Sequence, residues 1–256
     1  MKKTLPIIAA QLYTVRDFMQ TDEQFVETID KVKKIGYTAV QLSGHTKVSV
    51  DCITETVKAA GLKVCITHIG FERFLNDFDN VVKEHKAWGC NVIGVGGMPG
   101  AYTESKDGIL EFAKLANSIG DKLSAFGMKF AYHNHSHEFK KYNGISGMDL
   151  LIENTGENFE FIPDLYWIQN AGVNPYAWLY KVKGRVSTIH YKDMGVKGND
   201  SMMTEIGNGN MDYKLLTEVC TEIGVKYCAI EQDVCPGDPF VSLKMSYDYL
   251  ASIGLK

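Results

Sequence analysis

The sequence predicts an eight-fold strand–helix barrel, a (β/α)8 fold, and three observations carry that expectation. Short apolar runs of β-like composition alternate with amphipathic helical segments along the whole chain. Eight such units follow one another, and no Pro- or Ser-rich linker separates them. The length of 256 residues suits a barrel of this kind as one unit. Right-handed crossovers close such a sheet naturally, so the expected organisation is a single domain over residues 1–256. A doubly wound open sheet is the alternative. It usually shows a glycine-rich signature after an early strand. The glycines of "GVGGMPG" (94–100) follow the fourth strand without G-x-G-x-x-G spacing and read as a tight loop.

Each element has its own signal. "IIAAQLY" (7–13) is the first strand, and a helix from about Asp22 to Ile35 ends at Gly36. "AVQLSG" (39–44) precedes the helix of "DCITETVKAA", which stops at Gly61. "KVCITHIG" (63–70) leads to a helix reaching Trp88 and Gly89. "NVIGVGG" (91–97) leads to a long helix from about Ser105 to Phe126, closed by Gly127. Glycine just past a helix supplies the left-handed residue that ends it. In the second half, "KFAYHNHSHEF" (129–139) precedes a helix near 147–154. "FEFIPDLYW" (159–167) precedes one near 174–182, opened by Asn174-Pro175. "VSTIHYKDM" (186–194) precedes a loop and a helix near 211–223 that ends at Gly224. "YCAIEQDV" (227–234) and a last helix near 239–252 complete the eight.

Composition narrows the function classes. A chain 45% hydrophobic and 23% charged is ordinary for a globular protein and can bury a sizeable core without a disulfide or a metal. A net charge of −4 and the absence of a long basic run argue against a nucleic-acid partner. Six scattered cysteines with no C-x-x-C pair fit reduced thiols and a cytoplasmic setting. The N-terminal apolar run is short and broken by Gln11, so it reads as a strand and not as a signal peptide. No apolar segment is long enough for a membrane span.

In a barrel of this class the active site forms at the C-terminal ends of the strands. The fifth strand ends in Glu138, the sixth carries Asp164, the seventh His190 and the eighth Glu231. Each lies in or just after an apolar run, where an ionisable group is costly to bury unless it is paired or metal-bound. One strand-end Asp often merely caps the next helix. Four such residues on consecutive strands need four separate excuses. Three carboxylates and one imidazole make an oxygen-rich site suited to Mn2+ or Mg2+, and able to accept Zn2+ or Co2+. Such a metal polarises a carbonyl and acidifies the neighbouring C–H.

The motifs "QLYTVRD", "YHNHSHEF", "PDLYW", "TIHYKDM", "EIGNGNMDY" and "AIEQD", in this order, resemble the sugar phosphate isomerase/epimerase family, xylose isomerase-like barrels related to endonuclease IV. The resemblance covers essentially the whole chain, and "HYKD" and "EIGNGNMDY" are its most specific parts. It implies one divalent metal held by Glu138, Asp164, His190 and Glu231. It also implies a proton exchanged by Glu138 and Glu231 from opposite faces of a small sugar or cyclitol. The expected activity is isomerisation or epimerisation through an enediolate. The alternative is a lyase, a dehydratase or a keto-glycoside-cleaving enzyme using the same metal. Ketose 3-epimerases of this superfamily carry a histidine three positions after the strand-six Asp. Trp167 stands there instead, offering a flat face to a sugar ring. No phosphate-binding loop with clustered arginines follows strands seven and eight, so the expected substrate is unphosphorylated. A homo-oligomer is compatible with the sequence, but no feature fixes a number.

Several further residues are candidates. Lys192 shares parity with His190 and should face the barrel mouth, to bind a sugar oxygen or donate a proton. His68 ends strand three, either bonding a substrate hydroxyl or simply satisfied at the strand end. His135 reaches the same mouth if the strand bulges, with His133 second to it and His137 at the surface. Glu205, in the long loop after strand seven, is a candidate lid carboxylate. Tyr13 ends strand one and either stacks on the sugar or packs at the rim.

Overall fold

A computed structural model describes residues 4–256. The first half runs β1 (Ile7–Gln11), α1 (Asp22–Ile35), β2 (Ala39–Leu42), α2 (Val50–Ala59) and β3 (Lys63–His68). It continues with α3 (Phe71–Asn76), α4 (Phe78–Ala87), β4 (Val92–Val95) and α5 (Lys106–Ser124). The second half runs β5 (Lys129–His133), α6 (Gly147–Glu153), β6 (Phe159–Ile162), α7 (Leu165–Asn170) and α8 (Pro175–Leu179). It closes with β7 (Thr188–Tyr191), α9 (Tyr213–Ile223), β8 (Tyr227–Ile230) and α10 (Pro239–Ser252).

The eight strands form one parallel sheet in the order β6-β5-β4-β3-β2-β1-β8-β7. Its ends meet through a parallel bridge between Asp164 and His190 and a 2.8 Å hydrogen bond from His190 N–H to Pro163 O. The barrel is nearly closed, as the strand–helix alternation predicts.

Period-2 alternation sorts the side chains. Ala9, Ala39, Ala131, Ala229, Ile66 and Ile162 pack together as the lumen core. Ile8, Val40, Val64, Phe130, Phe161 and Ile189 belong to the larger layer beneath the helices. Small lumen residues leave the mouth to the next inward positions. Two residues on from Ala9, Ala131 and Ala229 stand Gln11, His133 and Glu231, all buried.

The helices begin where side-chain oxygens cap them. Thr21, Ser49, Ser105 and Ser146 each accept from the amide three residues on. Asn174 caps α8 with Pro175 behind it. Three segments differ from expectation. The "FEFIPDLYW" run is a strand only to Ile162, since Pro163 has no N–H for the ladder and Asp164 opens α7 as its cap. The third helical segment breaks at Asp77 into α3 and α4. The loop after β7 contains an antiparallel hairpin, Asp193–Lys197 with Asp200–Thr204, turned at Gly198-Asn199. That pair, with Gly198 at φ 63°, is a two-residue hairpin signal readable in the sequence. Among the described residues, no helix is long and apolar enough to cross a membrane.

Candidate active site

The ends of β5 to β8 bring four buried groups together: His133, Asp164, His190 and Glu231. One donor atom from each lies within 4.8 Å of all the others. Register explains the convergence. His133 is the last residue of β5, Asp164 bridges to His190, and Ala229, two residues before Glu231, pairs with His190.

Neighbouring polar groups orient each member. Glu231 Oε1 accepts from Gln11 Nε2 at 2.7 Å, and its Oε2 lies 2.9 Å from His190 Nδ1. Gln41 Oε1 sits 2.8 Å from His190 Nε2, so the Nε2–H points at Gln41 and Nδ1 is left facing the cluster. Asp164 divides its labour. Oδ1 accepts the Trp167 N–H at 2.9 Å as the cap of α7, while Oδ2 points into the cluster. Asn134 fixes the turn by accepting the Asp164 N–H at 3.0 Å.

Lys192 enters the same cluster, two residues on from His190 and 1% exposed. Its Nζ donates to Asp233 Oδ2 at 2.7 Å and lies 2.8 Å from Glu231 Oε2. It stands 3.0 Å from Asp164 Oδ2, though off the line of a hydrogen bond. The charges shift one another. Burial drives the Lys192 ammonium towards its neutral form, but Asp164, Glu231 and Asp233 outweigh that and raise its pKa. Burial alone would raise Glu231, yet Lys192 and His190 hold it well below the usual carboxylate range. His190, lowered by burial, is lifted by Glu231 and Asp164 to about 9. His68 goes the other way, to about 3, through burial and the nearby His190. His133 is likewise pushed well down by burial and by His190.

A divalent cation fits this cluster on two observations. His133 Nδ1 and His68 Nε2 are buried without a hydrogen-bond partner among the described residues, an arrangement that is costly unless something binds there, and Asp164 Oδ2 has only the off-line Lys192 ammonium and His190 beside it. The donors are also of ligand type, two imidazoles and two carboxylates. Above them opens a cavity of about 310 Å3, lined by Gln11, Tyr13, His68, His133, His135, Glu231 and Asp233 among others. That is the lower end of small-ligand pockets.

The sequence-derived candidates divide. Asp164, His190, Glu231 and Lys192 meet in the cluster. His68 and His135 line the cavity, and Tyr13 stands at its rim, 38% exposed, with the Arg16 guanidinium 4.3 Å from its ring centre. Trp167 flanks the cluster, its ring 5.5 Å from Lys192 Nζ and 5.4 Å from the His135 ring. Glu138 is not brought into the group. β5 ends at His133, and His137–Phe139 forms a 3-10 helix, so strand geometry no longer places Glu138. The Glu138 carboxylate instead accepts the Tyr132 hydroxyl at 2.6 Å and the His135 N–H at 2.9 Å. Glu205 is not over the cavity either. It accepts from Ser242 of α10 at 2.7 Å and from Thr204 at 3.1 Å.

Sequence reasoning passed over Gln11, Gln41 and Asp233. Asp233 has the parity of Glu231, and that signal was available. The two specific motifs after β7 are joined by Asp193. Its buried carboxylate accepts the N–H groups of Met194, Gly207, Gly209 and Met211. A Cβ on Gly209 would strike the Asp193 carboxylate, which explains that glycine.

A family model described as a xylose isomerase-like TIM barrel matches residues 29–236. The chain belongs to that family. Solved structures of the xylose isomerase-like type share its fold. One is a sugar phosphate isomerase/epimerase from Parabacteroides distasonis ATCC 8503, 21% identical, with TM-score 0.75, covering 98% of this chain and 95% of that one. Another is the probable 3-DHS dehydratase AsbF from Bacillus anthracis, 12% identical, TM-score 0.75, 96% and 98% covered. A third is a xylose isomerase-like TIM barrel protein from Mycobacterium smegmatis in complex with magnesium, 11% identical, TM-score 0.72, 98% and 96% covered. No curated protein matches the chain. At these identities the likeness is one of fold.

Proposed function

We propose that this chain is a divalent-metal-dependent enzyme that moves a proton next to the carbonyl of a small polyhydroxylated substrate, as sugar isomerases and epimerases do. The observation that carries the reading is the convergence of His133, Asp164, His190 and Glu231, with unpartnered donor atoms, beneath a sugar-sized cavity. His133 takes the strand-five place that the sequence assigned to Glu138. Two nitrogens and two oxygens form a softer set than three carboxylates and one imidazole. Zn2+, Co2+ or Fe2+ therefore suits it as well as the Mn2+ expected from sequence. Bound there, the metal would polarise the substrate carbonyl.

The protein groups have separate tasks. Glu231, held anionic by Lys192 and His190 and oriented by Gln11, lines the cavity and serves as the base. Lys192 supplies fixed positive charge and an N–H donor for a substrate oxygen. The His68 and His135 imidazoles form part of the walls, with the Trp167 ring behind His135.

A second reading is elimination, and the placement of Glu138 favours it. A two-glutamate epimerisation needs a second carboxylate across the cavity, whereas Glu138 is bound to Tyr132 and the His135 amide. Glu231 removing a proton while the Lys192 ammonium stabilises a departing oxygen, which water then protonates, would give a lyase. The test is NMR product analysis in D2O with free ketoses and with a 3-keto-glycoside. Deuterium entering beside the carbonyl, with loss of exchange in Glu231→Gln, supports the proton-transfer reading. An unsaturated product selects elimination. Absence of exchange from both substrate types, with metal bound, sinks the proposal.

A further inference from the structure

The octet "YHNHSHEF" is only partly absorbed by the site above. His133 joins the cluster, but His135, His137 and Glu138 form a group of their own, with one ligand-type atom from each within 4.8 Å of the others. We propose that these three residues make a second divalent-cation site, at the edge of the cavity and separate from the first.

The local chain path builds it. After β5 ends, the turn places Glu138 beneath the amide of His135, and Tyr132 donates its hydroxyl to the same carboxylate. Those two bonds fix the carboxylate and leave each oxygen a further lone pair. A ligating carboxylate is held in this way by surrounding donors. His137 Nε2 already approaches Glu138 Oε1 at 3.2 Å. The His135 and His137 rings lie 5.7 Å apart and nearly parallel, at 15°.

An ion pair between His137 and Glu138 would account for those two residues alone. It leaves His135 Nδ1 buried and without a partner among the described residues. Donors in a tetrahedral zinc shell stand about 3.4 Å apart, given bonds near 2.1 Å. The group must therefore contract slightly. His137, with 55% of its side chain exposed, has the freedom to swing in. Two imidazoles and one carboxylate suit Zn2+, Co2+ or Ni2+ better than Mg2+ or Ca2+. Water would fill the remaining positions. Because His135 also lines the cavity, this cation would hold that wall in place.

The test is a calorimetric titration of the full, metal-stripped protein with Zn2+, alongside His137→Ala and Glu231→Gln. His137 is exposed, so its truncation should leave the fold intact. The proposal expects two equivalents in the wild type, one in His137→Ala and one in Glu231→Gln, with the two single sites differing in affinity. One equivalent in both wild type and His137→Ala, lost in Glu231→Gln, would overturn this site while the proposed function stands. Two equivalents retained in His137→Ala would place the extra ion elsewhere and likewise overturn it. No zinc in any protein would remove both readings.

Discussion

Two stretches of the barrel mouth carry similar residues and were read by the same rule, with different outcomes. At the ends of β6, β7 and β8, inward parity continues past the last ladder residue, and Asp164, His190, Lys192 and Glu231 meet. After β5 the ladder ends at His133, and a 3-10 turn follows at His137–Phe139. His135, two residues on from His133, still lines the cavity, but the turn then redirects the chain and Glu138 ends against Tyr132. The difference teaches that a strand-end side chain can be placed from alternation only while neighbouring backbone holds it. The Asp164–His190 bridge and the Glu231 N–H bond to Tyr191 O supply that hold on one side of the mouth. Beyond His133 the ladder supplies none.

The strongest way to break this contrast is at Glu231. Glu231→Gln removes a charge shared by His190, Lys192 and the proposed metal, and activity should fall roughly 10³-fold or more, read as turnover on the best substrate found. Unchanged turnover would dissolve the functional half of the comparison. Lys192→Met comes next. The ammonium occupies the same carboxylate oxygens, Asp164 Oδ2 and Glu231 Oε2, that a cation would use. Removing it should tighten metal binding about tenfold or more, as expected for loss of a close like charge. Weaker binding in the calorimeter would show that Lys192 supports the metal instead of competing with it. A smaller effect is expected at Glu138. Glu138→Gln should leave the affinity of the cluster metal within about threefold, well under the 1.4 kcal/mol that a tenfold change represents. A loss as large as that of Glu231→Gln would restore Glu138 to the first site.

The mildest effect lies in the pH dependence of the metal-free protein. Histidine in an unfolded chain titrates near 6.5. His68 stays neutral in the fold down to about 3. Between those values the unfolded chain binds the extra proton, so stability falls as pH drops from about 6.5 towards 3. His190, at about 9, has the opposite sign. Its contribution is complete below about 6.5 and is lost as pH rises through 9. Thermal melts in chelator should show His68→Gln flattening the acid limb alone. A flattened alkaline limb instead would contradict the assignment.

Much of this was legible in the sequence because the signals are repetitive. The alternation of apolar runs and capped helices fixes the barrel, and period-2 spacing at "TIHYK" and "AIE" places three of the cluster's side chains, His190, Lys192 and Glu231. What stayed illegible depends on where a ladder stops. No local preference in "YHNHSHEF" says that the strand ends at the first histidine, since the residues after it are turned by Asn134 bonding to Asp164, 30 positions away. Gln11 and Gln41 were invisible for a related reason. Their importance lies in holding Glu231 and His190, and a buried amide reads as ordinary strand polarity until its partner is known.

The central claim is that His133, and not Glu138, completes the first cation site. Anomalous scattering at the absorption edge of the bound metal, from crystals of the metal-loaded protein, tests it most directly. A peak within bonding distance of His133, Asp164, His190 and Glu231 is expected. A peak bonded to Glu138 together with Asp164, His190 and Glu231, with His133 out of contact, would contradict it.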